Sequence, residues 1–376
     1  MPLRVAVIGG GGIGSAAARF LARDGHTVTV IEQFGFDHDR GGSWGSSRII
    51  RRTYADRLYT ALMSDAYSLW RELEHDAGEP LLVQTGGLFF GRSTHPDVLA
   101  AKDALERNGV PFDVLDRAGV SRRFPEMRLD EDEIAVYEPD AGFLHASACV
   151  RANVRLAHAE GATLLERNAV RSISPAADHL TIELENRERL EVDRVVVTTG
   201  AWSRPFLAEL VQLPLVVSRQ VYCHFQPHSM THGFGEAQFP VWIDLESLFY
   251  GFPASLEPRG VKVALHRHGA ATTPESVDRL VNEDDRAPLT EYCSRRLPGL
   301  SAEVLFEKVC LYANSPDEDF IVDHVPGEPR IVLFAGDSGH AFKFSVLLGR
   351  ILASMASGDE LAWDLSRFSL ARFAAS

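Results

Sequence analysis

Near the amino terminus, Gly9-Gly10-Gly11-Gly12-Ile13-Gly14 has the spacing G-x-G-x-x-G. The chemistry such a run serves is the holding of a pyrophosphate. The first glycine permits a tight turn, the second lets backbone approach the phosphates, and the third lets a helix pack closely on a strand. A helix opening there points its first N–H groups at the anion. Glu32 follows at a spacing suited to accepting hydrogen bonds from ribose hydroxyls, and its charge argues against a 2′-phosphate. A lone spacing match is weak, so its worth rests on the elements around it.

Those elements are legible. Residues 4–8 read as a short buried strand, 13–24 as an Ala-rich helix ending at Gly25, and 27–32 as a second strand, which together make a βαβ unit. A polar, Gly-rich loop over 35–47 precedes a helix over 57–74. A second αβ cluster has a helix over 147–159, strand patterns over 163–166 and 180–184, and a buried parallel strand over 194–200 running into Ala201-Trp202. The segments 81–140 and 213–304, rich in aromatic and β-branched residues, read as a mainly antiparallel sheet. The chain ends in strand (330–335), loop (336–344) and helix (345–355). The expected fold class is α/β: a Rossmann-type nucleotide domain, discontinuous over 1–80, 142–212 and 305–376, with an inserted α+β substrate domain over 81–141 and 213–304.

Composition narrows the partners. The 376 residues carry a formal charge of −14, with 45% apolar and 24% charged side chains. That balance disfavours nucleic acid and anionic membranes, which reward clustered Lys and Arg. No apolar run approaches the roughly 20 residues that span a bilayer. Four cysteines, at 149, 223, 293 and 310, are too few and scattered for a disulfide framework or a zinc site, so no metal is expected. Met1-Pro2-Leu3-Arg4 leads directly into Val5-Ala6-Val7-Ile8, and a cytoplasmic protein, monomeric or a small homo-oligomer, is expected.

The carboxy-terminal third is more specific. The run Lys308-Val309-Cys310-Leu311-Tyr312-Ala313-Asn314-Ser315-Pro316-Asp317 resembles the segment that carries the flavin-linking cysteine in the monomeric sarcosine oxidase and N-methyltryptophan oxidase family. Gly336-Asp337-Ser338-Gly339-His340-Ala341-Phe342-Lys343 resembles the flavin and substrate loop of the same family. Arg48-Ile49-Ile50-Arg51 is similar to its N-terminal active-site helix, and Tyr250-Gly251-Phe252-Pro253 and Val261-Lys262-Val263 to segments of its substrate domain. The similarity runs through essentially the whole chain in the same order.

The resemblance implies FAD, bonded through Cys310 to the flavin 8α carbon. It implies cofactor contacts at Gly9, Gly11, Gly14, Glu32, Ser43, Arg48, Val170, Thr199, Gly200, Trp202, Gly339 and Lys343. Lys262 is expected over the flavin, its charge stabilising superoxide as it forms, with His266 beside it. In the residue pattern itself, Lys262, Ala264, His266 and His268 share one strand face, opposite the valines and Leu265. Arg51 and Lys343 are the expected carboxylate clamp, with Tyr250 capping the substrate and Trp44 and His340 beside it. Arg48 would neutralise the cofactor or brace the site, and Arg52 is expected to face solvent. The structural alternatives are a solvated lysine, a buried inert cysteine and a core tyrosine.

The implied reaction is oxidation of a small secondary amine or N-methyl amino acid bearing a carboxylate. A hydride passes to flavin N5, an imine leaves, and O2 becomes H2O2. The alternatives are a biosynthetic oxidase desaturating a cyclic imino acid and a non-catalytic flavin-binding module. Three positions depart from the family pattern: Trp44 for a common histidine, Ala341 for a glycine and Asp337 for an apolar residue. Two add bulk near the expected substrate, so a bulkier N-methyl or cyclic imino acid fits as well as sarcosine.

Overall fold

The computed structural model describes residues 1–229, 233–266 and 269–373, so His268 of the expected strand face lies outside the described residues. Arg4–Ile8 sits in the middle of a six-stranded sheet, parallel to Thr27–Ile31 on one side and Arg194–Val197 on the other. Thr163–Leu165 extends the sheet beyond Thr27–Ile31, and Glu328–Ala335 extends it beyond Arg194–Val197. Ile321–Val325 closes that edge as an antiparallel hairpin. Both faces are covered, which is why the strands read as continuous apolar runs. Val5 and Val7 pack under helices, whereas Ala6 and Ile8 pack against a separate antiparallel sheet of Val170–Pro175, Leu180–Leu184 and Arg189–Val192.

Helix Gly12–Arg23 crosses helix Ser345–Ser357 closely. A Cβ on Gly349 would stand 2.6 Å from that of Ala16, so only hydrogen fits between the backbones. Helix Arg57–Ala77 is capped by Asp56, which accepts from Leu58 N, and ends at left-handed Gly78.

A nine-stranded, mainly antiparallel sheet carries the second half of the site. Its organising strand is Val216–Pro227, paired along one side with Leu300–Asn314 and along the other with Arg259–Leu265. Residues directly opposite one another share a face. One face, with Cys223, Phe225, Val261 and Val263, is buried with Leu289, Tyr292 and Cys293 of helix Glu283–Arg296. The other holds Tyr222, Lys262 opposite His224, and Cys310 opposite Gln220. Strand Leu300–Asn314 runs through residue 305, where the sequence pattern placed a domain boundary.

One expectation is corrected. Arg48–Ile50 is not helical but a short strand, paired antiparallel with Gly142–Leu144, which also pairs with Leu82–Gln84. β-Branched Ile49 and Ile50 fit a pleated surface better than a helix, and the pairing holds them there. Arg51 leaves the end of this strand.

Candidate active site

Two adjoining cavities, about 350 and 230 Å3, share Gly11, Gly42, Ser43, Thr198, Gly200 and Ala201 and so form one trench between the two large sheets. The nucleotide turn lies at one end. Gly9 adopts a φ of +96°, and a Cβ on Gly14 would stand 1.9 Å from the Gly9 carbonyl oxygen. The Thr198 hydroxyl donates to that same oxygen at 2.9 Å. The helix that follows has a glycine N-cap with no side-chain bond and no acid in its first turn, leaving its positive end available to an anion. Gly12 N donates to Ser43 Oγ at 2.9 Å.

Glu32 is buried at the end of its strand, accepting from Gly10 N at 2.8 Å and Phe34 N at 2.9 Å. A carboxylate has about four lone-pair sites, so acceptor capacity remains for a ribose. Val170, Thr199, Gly200 and Trp202 line this end with it. A helix terminus with a glycine N-cap, a turn that no Cβ would fit at Gly14, and a carboxylate at the strand end suit FAD.

The other end is richer in charge. Lys262 is only 4% exposed, with Nζ donating to the Ser47 carbonyl at 3.2 Å and lying over the Tyr222 and Phe252 rings at 4.3 and 4.8 Å. Burial, with the Arg48 charge second, pushes its pKa well down. The solvated alternative is therefore excluded for this lysine. His266 lines the same cavity and tilts against Tyr312, ring centroids 5.4 Å apart. The Tyr250 hydroxyl faces that of Tyr312 at 3.4 Å. Cys310 lines the cavity with its thiol pKa pushed up by burial, while the Arg48 and Lys262 charges act in the opposite direction. Gly339, at φ +72°, lies so close to Tyr312 that a Cβ would stand 2.3 Å from the ring.

Arg48 spends its fork on backbone, donating to the carbonyls of Ser47 (2.8 Å), Gly42 (2.7 Å) and Trp44 (2.8 Å). It braces the loop under the cofactor trench. Trp44, expected beside the substrate, lines neither cavity; Lys308 Nζ lies 4.2 Å above its ring and is itself paired with Asp39. Arg52 does not face solvent as expected. It lies over the Tyr67 ring at 3.9 Å and pairs with Asp140 at 3.2 Å.

Arg51 and Lys343 line the cavity together. The Arg51 guanidinium lies over the rings of Tyr54 (4.2 Å) and Phe89 (5.4 Å), and its buried Nε has no hydrogen-bond partner. Lys343 is 6% exposed, with Nζ donating to Tyr54 OH at 2.9 Å and the His340 carbonyl at 2.8 Å. Burial lowers the pKa of both, and Arg51 lowers that of Lys343 further. Among the described residues, no carboxylate pairs with either. Glu138, whose charge reaches Arg51, is occupied by the backbone N–H groups of Arg52 and Thr53 and by the Thr53 hydroxyl. His340 stacks on Phe320, ring centroids 4.6 Å apart; burial and Lys343 hold it neutral.

Tyr54, Tyr222 and Tyr312 carry no signal in the sequence that separates them from core tyrosines. Asp337 stands out in sequence only as a departure from the family pattern. In the structure it accepts from Gly339 N at 2.9 Å and Ala313 N at 3.1 Å, tying the cysteine-bearing strand to the flavin loop.

A family profile described as FAD dependent oxidoreductase matches residues 4–355, and the chain belongs to that family. Within it, the chain is 34% identical to the monomeric sarcosine oxidase of Streptomyces avermitilis, covering 99% of this chain and 98% of the relative. It is 31% identical to N-methyl-L-tryptophan oxidase of Escherichia coli, covering 98% of each. Among solved structures, the open form of NikD, an amino acid oxidase essential for nikkomycin biosynthesis, superposes with a TM-score of 0.86 at 24% identity, covering 97% of this chain and 96% of that one. This protein is a sarcosine oxidase-like, FAD-dependent oxidase acting on CH–NH donors. Among the described residues, no helix is long and apolar enough to cross a membrane.

Burial raises the Asp337 pKa from 3.8 to about 6. A carboxyl whose folded pKa is raised stabilises the fold below its unfolded pKa and loses that contribution as pH rises through the folded one. Relative to Asp337→Asn, wild-type stability should therefore decline between pH 4 and 6, by at most about 3 kcal/mol. Urea unfolding of both proteins across that range measures it. A constant difference would mean that Asp337 does not titrate there.

Proposed function

We propose that this enzyme oxidises a small secondary amine or N-methyl amino acid and that it recognises the substrate by its carboxylate. The observation that carries the reading is the pair Arg51 and Lys343, two buried basic side chains facing one cavity with no anion paired to either among the described residues. Leaving two like charges desolvated is costly unless a ligand supplies the counter-charge. In a chain of net charge −14, this pair is a local departure from the overall acidity.

A flavin held by the trench would supply a two-electron acceptor for the hydride on the carbon beside nitrogen and a route for those electrons to dioxygen. The chain's own residues do the rest. Arg51 and Lys343 fix the acid, which orients the carbon beside nitrogen. Tyr250 and His266 line the space around the amine. Lys262 holds positive charge where dioxygen takes up electrons, and Cys310 is the covalent anchor. No nucleophile toward the substrate is required. A panel of N-methyl and cyclic imino acids, scored by anaerobic flavin bleaching, tests the substrate class. Formaldehyde among the products marks demethylation, whereas an unsaturated ring marks desaturation. Bleaching by none of them would place the substrate outside both classes.

Arg51→Ala and Lys343→Ala should each weaken a carboxylate substrate by more than about tenfold, with much less effect on amines lacking the acid. Equal losses on both classes would remove the clamp. Lys262→Met should slow reoxidation of the reduced enzyme by about 10²–10³ and change anaerobic reduction far less. Stopped-flow on the two half-reactions separates these effects, and an unchanged reoxidation rate would move oxygen activation elsewhere. Protein denatured in SDS should stay yellow through Cys310. Flavin released in full would show non-covalent binding.

A further inference from the structure

Tyr54 follows Arg51 by three residues and touches both cations of the clamp. Its hydroxyl receives the Lys343 ammonium at 2.9 Å, and its ring carries the Arg51 guanidinium at 4.2 Å. The same hydroxyl reaches His340 Nδ1 at 3.4 Å, and His340 Nε2 reaches the Glu318 carbonyl at 3.1 Å. Only one direction of donation satisfies the whole chain. An ammonium has no acceptor, a carbonyl has no donor and a neutral imidazole has one of each, so with Lys343 charged and His340 neutral Lys343 donates to Tyr54, Tyr54 to His340 and His340 to Glu318. This leaves His340 with its proton on Nε2, consistent with a neutral ring.

The ring of Tyr54 is equally constrained. Tyr59 stacks on it with centroids 5.3 Å apart, and the Tyr59 hydroxyl donates to Asp319 at 2.8 Å. Asp319 in turn receives Arg367 at 2.7 Å. Tyr54 is thus fixed on one face by Tyr59, which lines neither cavity, and at its hydroxyl by Lys343 and His340.

We infer that Tyr54 is the positioning residue of the carboxylate clamp: its hydroxyl aims Lys343 and its ring seats Arg51, so that the two cations converge on one acid. The inference rests on the clamp reading above. A hydroxyl polarised along a chain of hydrogen bonds is a better acceptor for an ammonium than an isolated one. An aromatic face offers a guanidinium attraction without taking up its N–H donors, which stay available to the ligand.

The test is calorimetric binding of acetate and of acetamide to the flavin-loaded wild type, Tyr54→Phe, Tyr54→Leu and Lys343→Met, and to the double variant Tyr54→Phe/Lys343→Met. Wild type should prefer acetate; no preference would overturn the clamp reading and this inference with it. Tyr54→Phe keeps the ring and should lose about tenfold in acetate affinity with acetamide unchanged. Tyr54→Leu should lose more. In the Lys343→Met background the Tyr54→Phe loss should vanish, because the hydroxyl acts through that lysine. With the best oxidised substrate, Tyr54→Phe should raise KM and leave kcat within about threefold. Wild-type acetate affinity in Tyr54→Phe, or an undiminished loss in the double variant, would overturn the inference while leaving the clamp intact.

Discussion

The register of Val216–Pro227 decides which side chains line the cavity. This strand is paired on both sides, with Cys310 opposite its Gln220 and Lys262 opposite its His224. Side chains alternate along a strand, so a slip of one residue would turn Lys262 into the apolar layer and Val261 or Val263 toward the cavity. The apolar face prevents that. Phe225, Val261 and Val263 are fully buried against helix Glu283–Arg296, and exposing them would cost roughly 1.5–3 kcal/mol each. The chemical face is thus held in place by the opposite face, which takes no part in the reaction.

Charge at the site is arranged by the same separation of roles. Arg48 gives its donors to three carbonyls of the 42–47 loop, and that loop presents Ser43 to the nucleotide turn and Ser47 to Lys262. Arg51, three residues on, has no such partners among the described residues. Neighbouring arginines therefore divide into one that braces the loop and one that lines the cavity with its donors unspent. Lys343 is intermediate, held by neutral oxygens of Tyr54 and His340 that aim the ammonium without cancelling its charge.

Much of this was legible in the residues. The glycine turn, Glu32 and the strand at 194–197 were readable because backbone geometry restricts what can stand there. The alternation around Lys262 set the lysine on the face opposite its valines, while its place at the site came from the family resemblance. Family resemblance, and not pattern, brought Arg51, Lys343 and Cys310 forward. What stayed hidden depended on long-range contact. Trp44 is drawn under Lys308, and Arg52 is held over Tyr67 beside Asp140; neither partner is close in sequence. The Arg48–Ile50 segment has β-branched residues that favour a strand, but its partner, Gly142–Leu144, lies about 95 residues further along the chain. Tyr54 was missed because a tyrosine that organises two cations has the same sequence signature as one that fills a core.

The central strand Arg4–Ile8 has a further consequence, for how the chain comes into being. Its partner on one side, Arg194–Val197, arrives about 190 residues later, and that strand's own outer neighbour is Glu328–Ala335. During synthesis the first βαβ unit therefore emerges with an open edge, and the nucleotide sheet cannot close until nearly the whole chain has left the ribosome. Pairings of such sequence separation are slow to form and leave strand edges exposed meanwhile. The last strand and the helix Ser345–Ser357 are accordingly structural closures of the first domain rather than a tail. A chain stopped short of them would present an unfinished sheet to its neighbours.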